Sequence, residues 1–262
     1  MYPNELFWGI DLYQLMIALG FFFALVHFRV LSDRAGFPAR VQNLCIFAGL
    51  ISLIGGYFFA VLFQAVYNAI ASGRFVLAND TGATFYGGLI GGVLIFLCVY
   101  RVGEAIARRK GREFPRTLPH VLNIGIGGVA IAHGMGRIGC LCAGCCHGHV
   151  TEAWYGIYNA GLKAKTVPIQ LFEALFLFAL AAFMTWNEVR GKRRNNLGVY
   201  AVGYGVWRFV IEFFRADERG KTVVPFLSPS QLIAILLTVA GTVILIRSFR
   251  SAPREKADGD ET

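Results

Sequence analysis

The sequence predicts an all-α, polytopic integral membrane protein, a helix bundle with about seven transmembrane helices, and three observations predict it. Of 262 residues, 56% are hydrophobic and only 16% charged, with a mean hydropathy of +0.55, whereas soluble domains carry about 25% charged residues. The apolar residues fall in uninterrupted runs, not in the one-sided stripes of helices that keep one face in water. Each run approaches the roughly 20 residues needed to cross a hydrocarbon core.

The spans, in order, are Leu12 to Val30, Leu44 to Val66, Thr84 to Tyr100, Leu118 to Cys140, Pro168 to Trp186, Leu197 to Phe214 and Gln231 to Leu245. The first is not a cleavable signal peptide, because Met1 to Asp11 lacks basic residues and His27-Phe28-Arg29 is no small-residue cleavage site. The third and fourth are rich in glycine, in Gly87-Gly88-Leu89-Ile90-Gly91-Gly92 and at Gly125, Gly127, Gly128, Gly134, Gly136 and Gly139. Small residues let helix backbones approach closely, and those around Arg137 also leave room beside that side chain for a ligand. Residues 1–250 read as a single transmembrane domain and 251–262 as a disordered polar cytoplasmic tail.

Charge sets the orientation, since short cytoplasmic loops retain Lys and Arg. One side collects Arg29, Arg34 and Arg40; Arg101, Arg108, Arg109, Lys110, Arg112 and Arg116; Arg190, Lys192, Arg193 and Arg194; and Arg247, Arg250, Arg254 and Lys256, seventeen in all. The other collects Arg74, Lys163, Lys165, Arg215, Arg219 and Lys221, six in all. The N-terminus is therefore expected outside and the C-terminus in the cytoplasm. The net charge of +9 lies along loops at the membrane face, where anionic lipid headgroups are the nearer partner. No nucleic-acid partner is expected.

Two of the 25 basic residues, Arg137 and Arg208, fall within apolar spans. An arginine there costs roughly 2.5–3.5 kcal/mol on insertion scales, so it faces a polar cavity or a partner and marks a functional site by default. A doubly basic, outward-facing pocket suits a phosphate, which guanidinium binds bidentately. The plainer alternative is a structural ion pair of Arg208 with Glu173 or Glu212. Glu212 lies four residues from Arg208, and Arg215 three further on, on one helix face.

Four of the six cysteines crowd into Cys140-Leu141-Cys142-Ala143-Gly144-Cys145-Cys146-His147-Gly148-His149. On the oxidising outer face, Cys142 and Cys145 have the C-x-x-C spacing of a disulfide. A disulfide or buried unreactive thiols are the first reading, reactive thiols the second and zinc the third. His147 and His149 stand close by, yet thiolates so crowded are not expected to converge on one ion, and no second C-x-x-C completes a ribbon. Neither a metal nor a cofactor is expected.

Gly136-Arg137-Ile138-Gly139, followed by Gly144 and Gly148, resembles the signature of the prolipoprotein diacylglyceryl transferase family. Further blocks agree in order and spacing: Tyr13 with Gly20; Gly87 to Gly91; Pro168, Gln170, Leu171 and Glu173; and Gly203-Tyr204-Gly205 through Arg208, Glu212, Phe213, Phe214 and Arg215. The resemblance covers nearly the whole chain. It implies a multi-pass enzyme of the bacterial inner membrane that moves the diacylglyceryl group of phosphatidylglycerol onto a thiol acceptor, the lipobox cysteine of a prolipoprotein, and releases glycerol phosphate.

Within that resemblance, Arg137 and Arg208 hold the phosphate, and Tyr13, Gly87, Gly88, Gly136, Gly139, Cys140, Gly144, Cys145, Gly148, Gln170, Glu173, Tyr204, Glu212 and Arg215 shape the substrate site. The chain departs from the family at polar positions. Tyr86 stands where a His precedes the paired glycines, Cys140 where an Asn follows Gly-Arg-x-Gly, Cys145 where a Glu follows Asn-Gly, and Asn123 where an acidic residue opens span four. A phenol titrates near pH 10 in water and is a poor base, so His133, on the Arg137 face of the helix, is the other candidate base beside Tyr86. These departures mark a divergent, cysteine-rich branch. Two alternatives stay open: a membrane thiol-redox or covalent-thiol enzyme using Cys140 to Cys146, and a non-catalytic lipid-binding or transport homologue.

Overall fold

A computed structural model of the chain describes residues 5–7, 9–72, 75, 77, 84–112, 114, 117–191, 195–216 and 226–251. Seven helices in it are long and apolar enough to cross a membrane. They are α1 (Leu12–Arg34), α2 (Ala39–Ser72), α3 (Phe85–Arg109), α4 (Leu118–Ala143), α5 (Ile169–Val189), α6 (Asn196–Ile211) and α7 (Pro229–Ser251). A 3-10 turn, Glu212–Phe214, prolongs α6. Each coincides with a predicted span. The expected tail 251–262 lies outside the described residues except for Ser251, and so do Arg74, Arg116, Lys192, Arg193, Arg194, Arg219, Lys221, Arg254 and Lys256 of the charge count.

The distribution of polarity is that of a protein dissolved in lipid. Large apolar side chains point outward, among them Ile54 at 71% and Ile70 at 82% exposure, while Gln170, Glu173, Asn187, Asn196 and Arg208 are buried. Outward apolar surface loses nothing in hydrocarbon, whereas a polar group there lacks any hydrogen-bond partner.

The chain divides into two compact units, Ser32–Leu118 on one hand and Met1–Leu31 with Pro119–Thr262 on the other. In the first, α2 packs along α3. Gly87 and Gly88 lie in that contact: a Cβ on Gly87 would come within 2.6 Å of the Phe63 Cβ and 2.8 Å of the Phe59 carbonyl oxygen. Close helix packing is thus the role the structure gives them.

In the second unit a short hairpin, β1 (Glu5–Phe7) with β2 (Ile10–Asp11), leads into α1. The start of α1 is fixed by a capping box, in which Asp11 Oδ1 accepts from the Gln14 amide at 2.7 Å and Gln14 Oε1 from the Asp11 amide at 3.2 Å. This places Tyr13 in the first turn. Between α4 and α5 a second antiparallel hairpin, β3 (Ile157–Asn159) with β4 (Ala164–Thr166), closes over the end of α4. Helix α7 packs on α6 and begins at another capping box, Ser228-Pro229-Ser230-Gln231, with Ser228 Oγ 3.2 Å from the Gln231 amide and Gln231 Oε1 3.0 Å from the Ser228 amide.

Candidate active site

Arg137 projects from the last turn but one of α4 toward Glu173 in the second turn of α5, with Nε 3.0 Å from Oε2. That contact has the distance of an ion pair but not the alignment of a hydrogen bond. The other carboxylate oxygen accepts from the Tyr204 hydroxyl of α6 at 2.9 Å. His133, one turn before Arg137, contacts the Tyr200 hydroxyl through Nδ1 at 3.0 Å and the Tyr204 hydroxyl through Nε2 at 3.4 Å. One tautomer satisfies all of these. With the proton on Nε2, Tyr200 donates to His133, His133 to Tyr204 and Tyr204 to Glu173. Both ring nitrogens are then engaged, so His133 reaches a reacting proton only through a tyrosine.

Arg208, four residues after Tyr204 on α6, places Nη2 2.6 Å from Glu212 Oε2 and donates to Ser230 Oγ at 3.0 Å. Ser228 Oγ donates to Glu212 Oε1 at 2.8 Å, and Arg215 Nε lies 3.8 Å from Glu212 Oε2. The capped start of α7 thereby supports the carboxylate that holds two arginines. The plain ion pair foreseen for Arg208 is present, with Glu212. Arg137 thus pairs with Glu173, while Arg208 and Arg215 share Glu212. Arg208 Nη1 is buried and has no hydrogen-bond partner among the described residues. Burying each of these ions costs several kcal/mol, and an anion bound beside Arg208 would accept from that open Nη1.

At the end of α4 the cysteines are gathered by a helix-terminating motif. Gly144 adopts φ +77°, its amide bonds to the Leu141 carbonyl at 3.3 Å, and the Cys145 amide bonds to the Cys140 carbonyl at 3.2 Å. That is the Schellman pattern, which favours glycine at the left-handed position. The reversal returns Cys145 toward Cys140, and Cys146, also left-handed at φ +58°, continues it. The Sγ atoms of Cys140, Cys145 and Cys146 all lie within 4.8 Å of one another. The turn is pinned from outside, since Gln170 Nε2 donates to the Cys145 carbonyl at 2.6 Å and Asn159 Nδ2 to the Gly144 carbonyl at 2.9 Å.

None of the six cysteines forms a disulfide. The Cys142 and Cys145 pairing suggested by C-x-x-C spacing is therefore not the arrangement found, because the glycine turn carries Cys145 to Cys140 and Cys146. The turn gathers three of the four clustered thiols and leaves Cys142 out of the group. Hydrogen bonds from the Cys140 and Cys145 thiols, and then the adjacent Arg215 guanidinium, hold the Cys146 thiol below its ordinary range.

The remaining predicted residues divide by position. Tyr13 packs against Gly139, where a Cβ would lie 3.1 Å from the Tyr13 ring, and it stands within electrostatic reach of the three thiols and Arg137. A Cβ on Gly136 would meet nothing within 4 Å, so open space adjoins Arg137. Gly148 permits a close backbone approach, since a Cβ there would fall 2.8 Å from the Phe214 carbonyl oxygen and 2.9 Å from that of Val167. It also forms a bridge with Arg215 that ties the cysteine loop to the end of α6. Tyr86, Gly87 and Gly88 belong to the other unit, and the Tyr86 side chain lies outside the described residues. Asn123 accepts from the Asn196 amide at 2.6 Å and donates to Glu188 at 3.1 Å, a role at the opposite end of α4.

Sequence reasoning missed Tyr200, Asn159, Ser228 and Ser230. The Ser-Pro-Ser-Gln capping signature was a readable signal for Ser228, whereas Tyr200 stood out only through its four-residue spacing from Tyr204. Seven long apolar helices with buried guanidinium–carboxylate pairs, one between α4 and α5 and one at the end of α6, define a multi-pass membrane protein. The family model for prolipoprotein diacylglyceryl transferase matches residues 5–247. The chain belongs to that family of transferases.

Phosphatidylglycerol–prolipoprotein diacylglyceryl transferase 2 of Clostridium perfringens (strain 13 / Type A) is 29% identical over 258 residues, covering 95% of this chain and 94% of its own. The Clostridium tetani (strain Massachusetts / E88) transferase is 29% identical over 246 residues, covering 91% and 93%. That of Escherichia coli O1:K1 / APEC is 27% identical over 289 residues, covering 97% and 92%. These relatives and the seven helices make the chain a multi-pass bacterial membrane protein.

Proposed function

We propose that the chain is a phosphatidylglycerol-dependent diacylglyceryl transferase of the inner membrane whose acceptor is a thiol, that of a prolipoprotein lipobox cysteine. The observation that carries this reading is the buried Nη1 of Arg208, which has no hydrogen-bond partner among the described residues, together with the Arg137–Glu173 pair inside the apolar bundle. The lipid phosphodiester is a monoanion. In the reaction the acceptor thiolate attacks the glyceryl carbon that bears the phosphate, the carbon–oxygen bond breaks, and the electron pair leaves on glycerol phosphate. Charge grows on the departing phosphate, where Arg137 and Arg208 stabilise it, with Arg215 adding to the field. Glu173 and Tyr204 orient Arg137, and Glu212 with Ser230 orients Arg208. Tyr13 and the open side of Gly136 border the lipid, and the site faces outward, with the C-terminus in the cytoplasm.

The test is to supply the purified protein with phosphatidylglycerol and a lipobox peptide and to follow peptide mass and glycerol phosphate together. A diacylglyceryl mass shift that disappears in Arg137→Ala and Arg208→Ala supports the reading. Lipid bound without turnover would replace it with a lipid-binding homologue. The convergence of three thiols favours one competing reading, a thiol enzyme, and that reading predicts loss of activity in Cys145→Ser with full activity in Arg137→Ala.

A further inference from the structure

Three cysteine sulfurs sit within 4.8 Å of one another at the end of α4, and the family reading, which sets Cys140 and Cys145 at the substrate site, gives the trio no chemical step. A tetrahedral zinc with Zn–S bonds of about 2.3 Å spaces its sulfurs about 3.8 Å apart, so small side-chain adjustments bring the trio to ligand distance. The backbone beneath it is already fixed. Cys140 is held by the helix, Cys145 by Gln170 through its carbonyl, and the turn between them by Asn159. Cys140 is buried and Cys145 exposed, so the cluster is enclosed on one side and open on the other. Among the described residues no further Cys, His, Asp or Glu joins this group. Zinc with three thiolates carries one negative charge, and Arg215 lies beside Cys146, with Arg137 in electrostatic reach of Cys140 and Cys146.

We propose that Cys140, Cys145 and Cys146 bind one zinc ion and that its fourth, outward position takes the thiol of the acceptor substrate as a thiolate. Structural zinc sites close all four positions with protein ligands, whereas three protein ligands and an open position are the mark of a working site. Coordination deprotonates a thiol. The proton passes to water, and the sulfur keeps the electron pair with which it attacks the glyceryl carbon. The new sulfur–carbon bond forms as the carbon–oxygen bond breaks toward glycerol phosphate, and the thioether product, a weaker ligand, leaves the metal. This assignment rests on the transferase reading for the identity of the incoming thiol. It also supplies the thiolate that His133, with both nitrogens engaged by tyrosines, does not provide directly.

The experiment uses the full-length protein in detergent, stripped of metal and reconstituted with Co(II) or Zn(II) alone. The expected result is about one metal per chain, a thiolate-to-cobalt charge-transfer band, and a change in the cobalt ligand-field spectrum on adding a lipobox peptide but not its Cys→Ser form. Cys140→Ser, Cys145→Ser and Cys146→Ser should each lower stoichiometry at least about tenfold, and Cys142→Ser should keep it. Elution and melting profiles matching Cys142→Ser separate metal loss from misfolding. Transfer without stoichiometric metal overturns the zinc site and leaves the transferase reading standing. Metal bound with a spectrum indifferent to the peptide overturns the open position. Metal and thiol bound with no lipid product uphold the site and overturn the transferase reading instead.

Discussion

Arg208 commits Nη2 to Glu212 and Ser230, while Nη1 stays buried without a hydrogen-bond partner among the described residues. A lysine would keep the charge but lose the planar fork. Arg208→Lys is therefore expected to cut transfer about 10²-fold or more with little change in melting temperature; activity within a few-fold of wild type would show that charge alone suffices. Glu173→Gln removes the charge opposite Arg137 and leaves that guanidinium uncompensated. Thermal unfolding in detergent should report a loss of about 3–5 kcal/mol, and an unchanged melt would mean that Arg137 finds its counter-charge elsewhere. Both arginines were legible in the sequence because a charge inside an apolar run has few explanations. Ser230 was not, because a serine beside a helix start looks like capping until the fold brings α6 against it.

Seven helices were legible because bilayer length and hydropathy are properties of contiguous sequence. The two hairpins were not, since strands of three residues and fewer hold no readable period. The hairpin of β3 and β4 nevertheless supplies Asn159, and with it one anchor of the cysteine turn. Nor did C-x-x-C spacing identify the thiols that meet, because that choice is made by the left-handed conformations of Gly144 and Cys146. Gly144→Ala should cost about 1–2 kcal/mol at this termination and weaken cobalt binding at the trio relative to wild type. Unaltered metal affinity and stability would show that Gln170 and Asn159 alone hold the turn.

For the whole molecule, the bias of basic residues predicts a cytoplasmic C-terminus. A C-terminal green fluorescent protein fusion should fluoresce and an alkaline phosphatase fusion should stay inactive; the reverse pattern would put the arginine cluster on the side away from exported proteins. On the proposed reading and with that orientation, a lipid from the bilayer and a thiol from outside would meet at one site, with the phosphate held by arginines and the thiol approaching across the cysteines. The most direct measurement of this account follows phosphatidylglycerol labelled separately in its diacylglyceryl and headgroup parts, in proteoliposomes with a lipobox peptide. The account predicts the whole diacylglyceryl label on the peptide sulfur and the headgroup label in glycerol phosphate, in equal amounts. Transfer of a single acyl chain, or lipid held without either product, would contradict it.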